Sequence, residues 1–141
     1  MRIKLKNTYI VISPFFFAIV IWSLALNKQS DFLICLVALI IHELGHIITI
    51  CLLKEEISVF QILPVGFSCR LKNQSHIETN KLIKIIIAGP VVSLIAAGLF
   101  LFWTKEFAII NLIIGLVNLF PVGELDGMRI MNIIIENKIY K

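Results

Sequence analysis

Residues 32–53 read FLICLVALIIHELGHIITICLL, an apolar run long enough to cross a bilayer that carries His42-Glu43-Leu44-Gly45-His46 in its middle. A helix rises about 1.5 Å per residue, so about 20 apolar residues cross the roughly 30 Å of hydrocarbon. Helical spacing sets His42 and His46 one turn apart on one face, where two imidazoles can grip a single zinc ion with Glu43 beside it. Each ionisable group at bilayer depth costs about 2.5–3.5 kcal/mol on insertion scales, so such a group is read as functional and in need of a partner. With three His and seven Glu in the chain, an accidental H-E-x-x-H is expected at a probability of about 0.3%. The run therefore predicts a zinc hydrolase centre within a membrane helix.

The remaining composition agrees with a membrane setting. Hydrophobic residues make up 59% of the 141 and charged residues 16%, with a mean hydropathy of +0.96, outside the range of ordinary soluble domains. Four segments are predicted to span, at 8–26, 32–53, 85–103 and 107–120. The first lacks a small-residue cleavage pattern before Asp31 and is expected to be a lipid-facing span rather than a secretory leader. If the amino terminus is cytoplasmic, only Lys28 and Lys105 of the thirteen Lys and Arg residues lie outside, which the positive-inside rule favours. Both termini are thus expected in the cytoplasm of a multi-pass protein of a bacterial inner membrane. The net charge of +4 follows from this topology and calls for no nucleic-acid partner. Cys35, Cys51 and Cys69, odd in number and far apart, suggest no disulfide framework.

Between the second and third segments the period changes. Alternation from Ile57 to Ile62, followed by Pro64-Val65-Gly66, predicts a cytoplasmic β-hairpin within 55–72. An exposed strand edge there could pair with an extended substrate, a hypothesis drawn from the alternation at 57–62. The third segment opens with Ala88-Gly89-Pro90 and continues through Ser93, Ala96, Ala97 and Gly98, small residues that let helices approach closely. The fourth meets Pro121, Gly123, Glu124, Asp126 and Gly127, which should unwind it at membrane depth, beside a cavity. The expected fold is an all-α polytopic membrane protein of about four transmembrane helices, three of them a catalytic core, with the hairpin between the second and third. Residues 1–141 are expected to form one intramembrane metalloprotease domain without a separate regulatory domain.

A catalytic zinc takes three protein ligands and keeps one position open. Counting helical rise from the membrane faces puts His46, Gly89 and Pro121 at one level, about 8–10 Å from the cytoplasmic side. Asp126, just past the break, is the expected third ligand, with Glu124 as competitor and His76 behind it. Such a set activates water for attack on a peptide carbonyl, with Glu43 as general base that then protonates the leaving amine. Asn118, polar in an apolar turn, is a candidate contact to substrate backbone or oxyanion, or else a helix–helix hydrogen bond. Gly45 gives room beside the metal or allows close packing.

HELGH at 42–46, AGP at 88–90 and NLFPVGELDG at 118–127 together resemble the three signatures, in order, of the site-2 protease type of intramembrane zinc metalloprotease, and within it the stage IV sporulation protein FB group. The resemblance covers about residues 32–135. It implies one Zn2+ held by His42, His46 and Asp126, with Glu43 catalytic, and a three-helix core that cleaves membrane helices after unwinding them. Membrane-held regulators or signal-peptide remnants are the implied substrates, a membrane-associated propeptide among the expected partners, and regulation is expected to be either absent or supplied by another protein such as a membrane partner. Many relatives read N-L-x-P-x-x-P-L-D-G-G-R; here Glu124 stands at the second proline and Met128 at the second glycine, while Arg129 is retained. Two other classes fit the buried polar cluster less well: a zinc or proton conductor, for which no ionisable residue continues a path outward, and a silent helix-binding relative, against which the intact Glu43 argues.

Overall fold

Leucine, isoleucine and valine dominate the helix that carries the pentapeptide, and in the computed structural model it runs from Gln29–Leu52, 24 residues or about 36 Å. The structure describes residues 2–5, 8–63, 66–72 and 77–139. In chain order the elements are β1 (Arg2–Leu5), β2 (Thr8–Ile12), α1 (Pro14–Ala25), α2 (Gln29–Leu52), β3 (Ile57–Leu63), β4 (Gly66–Leu71), α3 (Thr79–Phe100), α4 (Lys105–Asn118) and α5 (Asp126–Ile139).

Among the described residues, helices α2 and α3 are the two long and apolar enough to cross a membrane. Helix α1, with 12 residues, and α4, with 14, reach only about 18 and 21 Å, so neither crosses 30 Å of hydrocarbon alone. Leu33, Val37, Ile40, Leu44 and Ile48 of α2, with Val91, Ile95 and Leu99 of α3, point outward. Apolar stripes of that extent are costly in water and free of cost in lipid; the chain has the build of a membrane protein.

Helix α3 packs against both α2 and α4, which also touch each other, giving a core of three helices. Two small residues set the closest crossing: a Cβ placed on Gly45 would lie 2.6 Å from the Ala88 carbonyl oxygen. Gly45 therefore serves close packing of α2 on α3.

Two strands, β1 and β2, are present beyond the expected hairpin. With β3 and β4 they form one four-stranded sheet in the order β1-β2-β3-β4, in which β2 lies parallel to β3 and the other neighbours are antiparallel. The predicted hairpin is present as β3 and β4, with its turn residues Pro64 and Val65 outside the described residues. Residues 8–12, expected to begin the first span, instead form β2. The β-branched run Ile10-Val11-Ile12 suits a strand, and Pro14, which fixes φ and needs no N–H partner, opens α1 only after it. Strand β3 is interior, so its alternating residues offer no free edge; among the described residues the sheet ends at β1 and β4.

Ile50 of α2, Ile85 of α3 and Cys69 of β4 are buried together, with Ile47, Leu53, Ile57, Phe60 and Leu71 packed around them. This cluster seats the sheet on the ends of α2 and α3. The end of α2 closes with Lys54 at φ +57°, where its N–H donates to the Cys51 carbonyl and the Glu55 N–H to the Ile50 carbonyl, a helix stop that more often uses glycine.

Candidate metal centre

Three side chains from two distant stretches converge. His42 is 3% exposed, His46 6% and Asp126 5%, a degree of burial that ionisable groups reach only when paired or ligating. The His42 Nε2 and His46 Nε2 atoms each lie 3.2 Å from Asp126 Oδ2 and 3.2 Å from each other. A tetrahedral zinc with bonds of about 2.0–2.1 Å needs ligand atoms about 3.3–3.4 Å apart, so the triangle has the size such an ion requires. These three residues form the group among the described residues that could hold a metal.

Proton placement points the same way. The His46 Nδ1 atom lies 2.7 Å from the Ile85 carbonyl oxygen, which only accepts, so Nδ1 carries the proton and the neutral ring presents the Nε2 lone pair inward. The His42 Nδ1 atom lies 3.0 Å from Ser93 Oγ and in the same tautomer donates to it. Two lone pairs and a carboxylate oxygen then meet with no proton between them, a repulsive arrangement that a cation resolves. Outer hydrogen bonds of this kind fix the ring orientation at metal sites.

Sequence and local structure explain each position. The i, i+4 spacing on α2 puts the imidazoles on one face, where they meet edge to face. On α3, Pro90 lacks the N–H that would bond the Ile86 carbonyl, one residue on from the Ile85 carbonyl that meets His46. Gly89 is indispensable to the space: a Cβ there would overlap His46 Nε2 and lie 2.8 Å from His42 Nε2. Helix α4 ends at Asn118, residues 119–125 turn with Gly123 at φ +60°, and α5 starts on Asp126. Gly127 lets this turn close, because a Cβ on it would overlap the Leu119 carbonyl.

Gly89 and Asp126, the residue just past the helix break, both lie against His46 in the structure. Glu43 follows His42 and is half-buried. Glu124, the competitor for third ligand, is exposed, and His76 lies outside the described residues. The Asn118 amide donates to the Ile114 carbonyl of its own helix at 3.0 Å, not to another helix. Sequence reading missed Ser93 as a partner of His42; as one small residue among several on α3 it carried no separate signal. It also missed Cys69, which lies outside the helical segments. Burial pushes the Cys69 thiol up to about 12, the Glu43 carboxylate nearby adds to this, and the Arg129 guanidinium opposes it. Strand β4 meets Arg129 directly, through a hydrogen bond from its guanidinium to the Cys69 carbonyl.

Known proteins are similar to this chain. The chain is 28% identical to zinc metalloprotease MJ0392 of Methanocaldococcus jannaschii, over 96% of this chain and 43% of that protein. It is 27% identical to stage IV sporulation protein FB of Bacillus subtilis, over 85% of this chain and 45% of that protein. The chain thus spans less than half the length of these curated relatives. Its structure superposes on a site-2 protease from Methanocaldococcus jannaschii with a TM-score of 0.79 at 24% identity, covering 98% of this chain and 72% of that one. No family model matches the chain.

Proposed function

We infer that this chain, as a member of the site-2 protease family of zinc metalloproteases, is an intramembrane endopeptidase that cuts membrane-embedded or membrane-associated polypeptides. The observation that carries this reading is the buried triangle of His42, His46 and Asp126. Its three atoms have the donor types and spacing of a catalytic zinc with one position left for water or substrate. Zinc, when bound there, supplies Lewis-acid chemistry that brings the pKa of water toward about 7 and polarises a carbonyl.

The chain's own residues do the rest. Glu43 takes the proton from the attacking water and delivers it to the departing amine, so the peptide bond is replaced by a carboxyl group and a free amine. His46, oriented by the Ile85 carbonyl, and His42, oriented by Ser93, hold the site rigid. Asn118, at the end of α4, is a contact for substrate backbone. The open edge of β4, rather than the interior residues 57–62, receives the unwound substrate as an added strand. Orientation follows the cationic residues: the sheet and both ends of the chain face the cytoplasm, and the loops at Lys28 and Lys105 face outward.

The test is cleavage of a membrane-spanning peptide in proteoliposomes. Wild-type protein should cut it, chelation should stop cutting and zinc should restore it. A Glu43→Gln protein that retains zinc and cuts at the wild-type rate would rule the reading out.

A further inference from the structure

Arg129 lies one turn beyond Asp126 on α5, and its guanidinium touches two things of different kinds. One Nη donates to the backbone carbonyl of Cys69 at 3.2 Å; the other lies 3.7 Å from Asp126 Oδ1. Cys69 belongs to β4, which carries no further strand among the described residues. Its carbonyl is thus held by a side chain at the open edge of the sheet, where a neighbouring strand would otherwise pair. The Asp126 side chain is 7% exposed, yet that of Arg129 is 39% exposed, so the guanidinium spans from the buried triangle to the open side. A guanidinium carries five N–H donors in a rigid fork and accepts nothing. The two contacts leave N–H groups directed at neither partner, between the Cys69 carbonyl of β4 and the Asp126 carboxylate.

We propose that Arg129 is a substrate-positioning residue, whose remaining N–H groups bind a backbone carbonyl of the peptide laid along β4 and so fix its register against the metal site. This rests on the proposed protease function and adds to it a residue that reads substrate backbone rather than side chains. An extended peptide presents a carbonyl at every residue whatever its sequence, which suits an edge-bound strand. Arginine rather than lysine fits the task, because the planar fork can hold the Cys69 carbonyl and a second acceptor at fixed angles, whereas an ammonium is a point charge on a flexible stem. The weaker, 3.7 Å approach to Asp126 ties the same guanidinium to the carboxylate whose other oxygen faces the imidazoles.

Binding separates this role from a structural one. A fluorescent peptide with an apolar membrane segment and a central Gly-Ser stretch is titrated against Glu43→Gln protein in nanodiscs, with and without Arg129→Met, which keeps the stem and removes the donors. Loss of a charge-assisted hydrogen bond should weaken peptide binding by about tenfold or more. Zinc content should be unchanged, and Arg129→Lys should recover part of the loss. In the cutting protein the same change should raise KM more than it lowers kcat. Equal peptide affinity in the two proteins, no peptide binding at all, or a weakening accompanied by loss of zinc would each overturn the proposal. Failure of wild-type protein to cut a peptide that the Glu43→Gln protein binds would instead count against the protease function, and the effect of Arg129 on binding could still be measured.

Discussion

The Nδ1 atom of His42 and the hydroxyl oxygen of Ser93 meet at 3.0 Å in the buried interface between α2 and α3. Ser93 is 0% exposed, so no bulk water can take its place. Replacing it with alanine leaves the ring nitrogen without that partner and the ring less well oriented. Loss of such an outer partner typically costs 10–100-fold in metal affinity. Ser93→Ala is therefore expected to weaken zinc binding by about that factor while the helical circular dichroism stays the same, as read by competition with a chelator. Unaltered affinity would remove Ser93 from the account.

Gly89 and Gly98 lie nine residues apart on α3 and predict opposite outcomes. A methyl group on Gly89 would overlap the His46 ring, whereas nothing lies within 4 Å of a Cβ on Gly98. Gly89→Ala should abolish stoichiometric zinc; Gly98→Ala should bind as wild type. Equal zinc content in the two proteins, measured by elemental analysis, would show that the imidazoles are not where the geometry puts them.

Glu43→Gln removes a base without changing size. General-base catalysis contributes about 10²–10⁴-fold, so cleavage of a membrane-spanning peptide should fall by at least that factor with one zinc retained. A zinc conductor would show the opposite signature, with ion flux into liposomes and no dependence on peptide.

Cys69 gives a pH-dependent prediction. With its thiol pushed up to about 12 by burial and by the Glu43 carboxylate, the group stays protonated through pH 9, and the thiolate is the reactive form. In a background with Cys35 and Cys51 changed to serine, Cys69 should resist maleimide at pH 7–9 in the folded protein and react on unfolding. Rapid labelling of the folded protein at pH 8 would mean that β4 is not seated on α2 and α3.

How far the sequence could be read depended on whether a feature is local. The His42–His46 pair is fixed by helical spacing, and rise per residue brings Gly89 and the break before Asp126 to one expected level, whereas the choice of Asp126 over Glu124 rests on its place just past the break and on the resemblance. Residues 8–12 could not be read this way. A strand of Tyr9-Ile10-Val11-Ile12 that runs directly into an apolar helix has no polar alternation to distinguish it, and its partner β3 lies about fifty residues away. For the same reason the alternation at 57–62 signalled a strand but not that β2 would cover one side of it, which moves the open edge to β4. Ser93, a single small residue in a helix rich in them, became visible only when α3 was laid against α2.

X-ray absorption at the zinc edge of purified, lipid-reconstituted protein tests the central claim most directly. One zinc per chain is predicted, surrounded by two imidazole nitrogens and carboxylate or water oxygens at about 2.0–2.1 Å, with the metal lost or its surroundings changed in Asp126→Ala. Protein without stoichiometric zinc, or a spectrum that Asp126→Ala leaves unchanged, would contradict it.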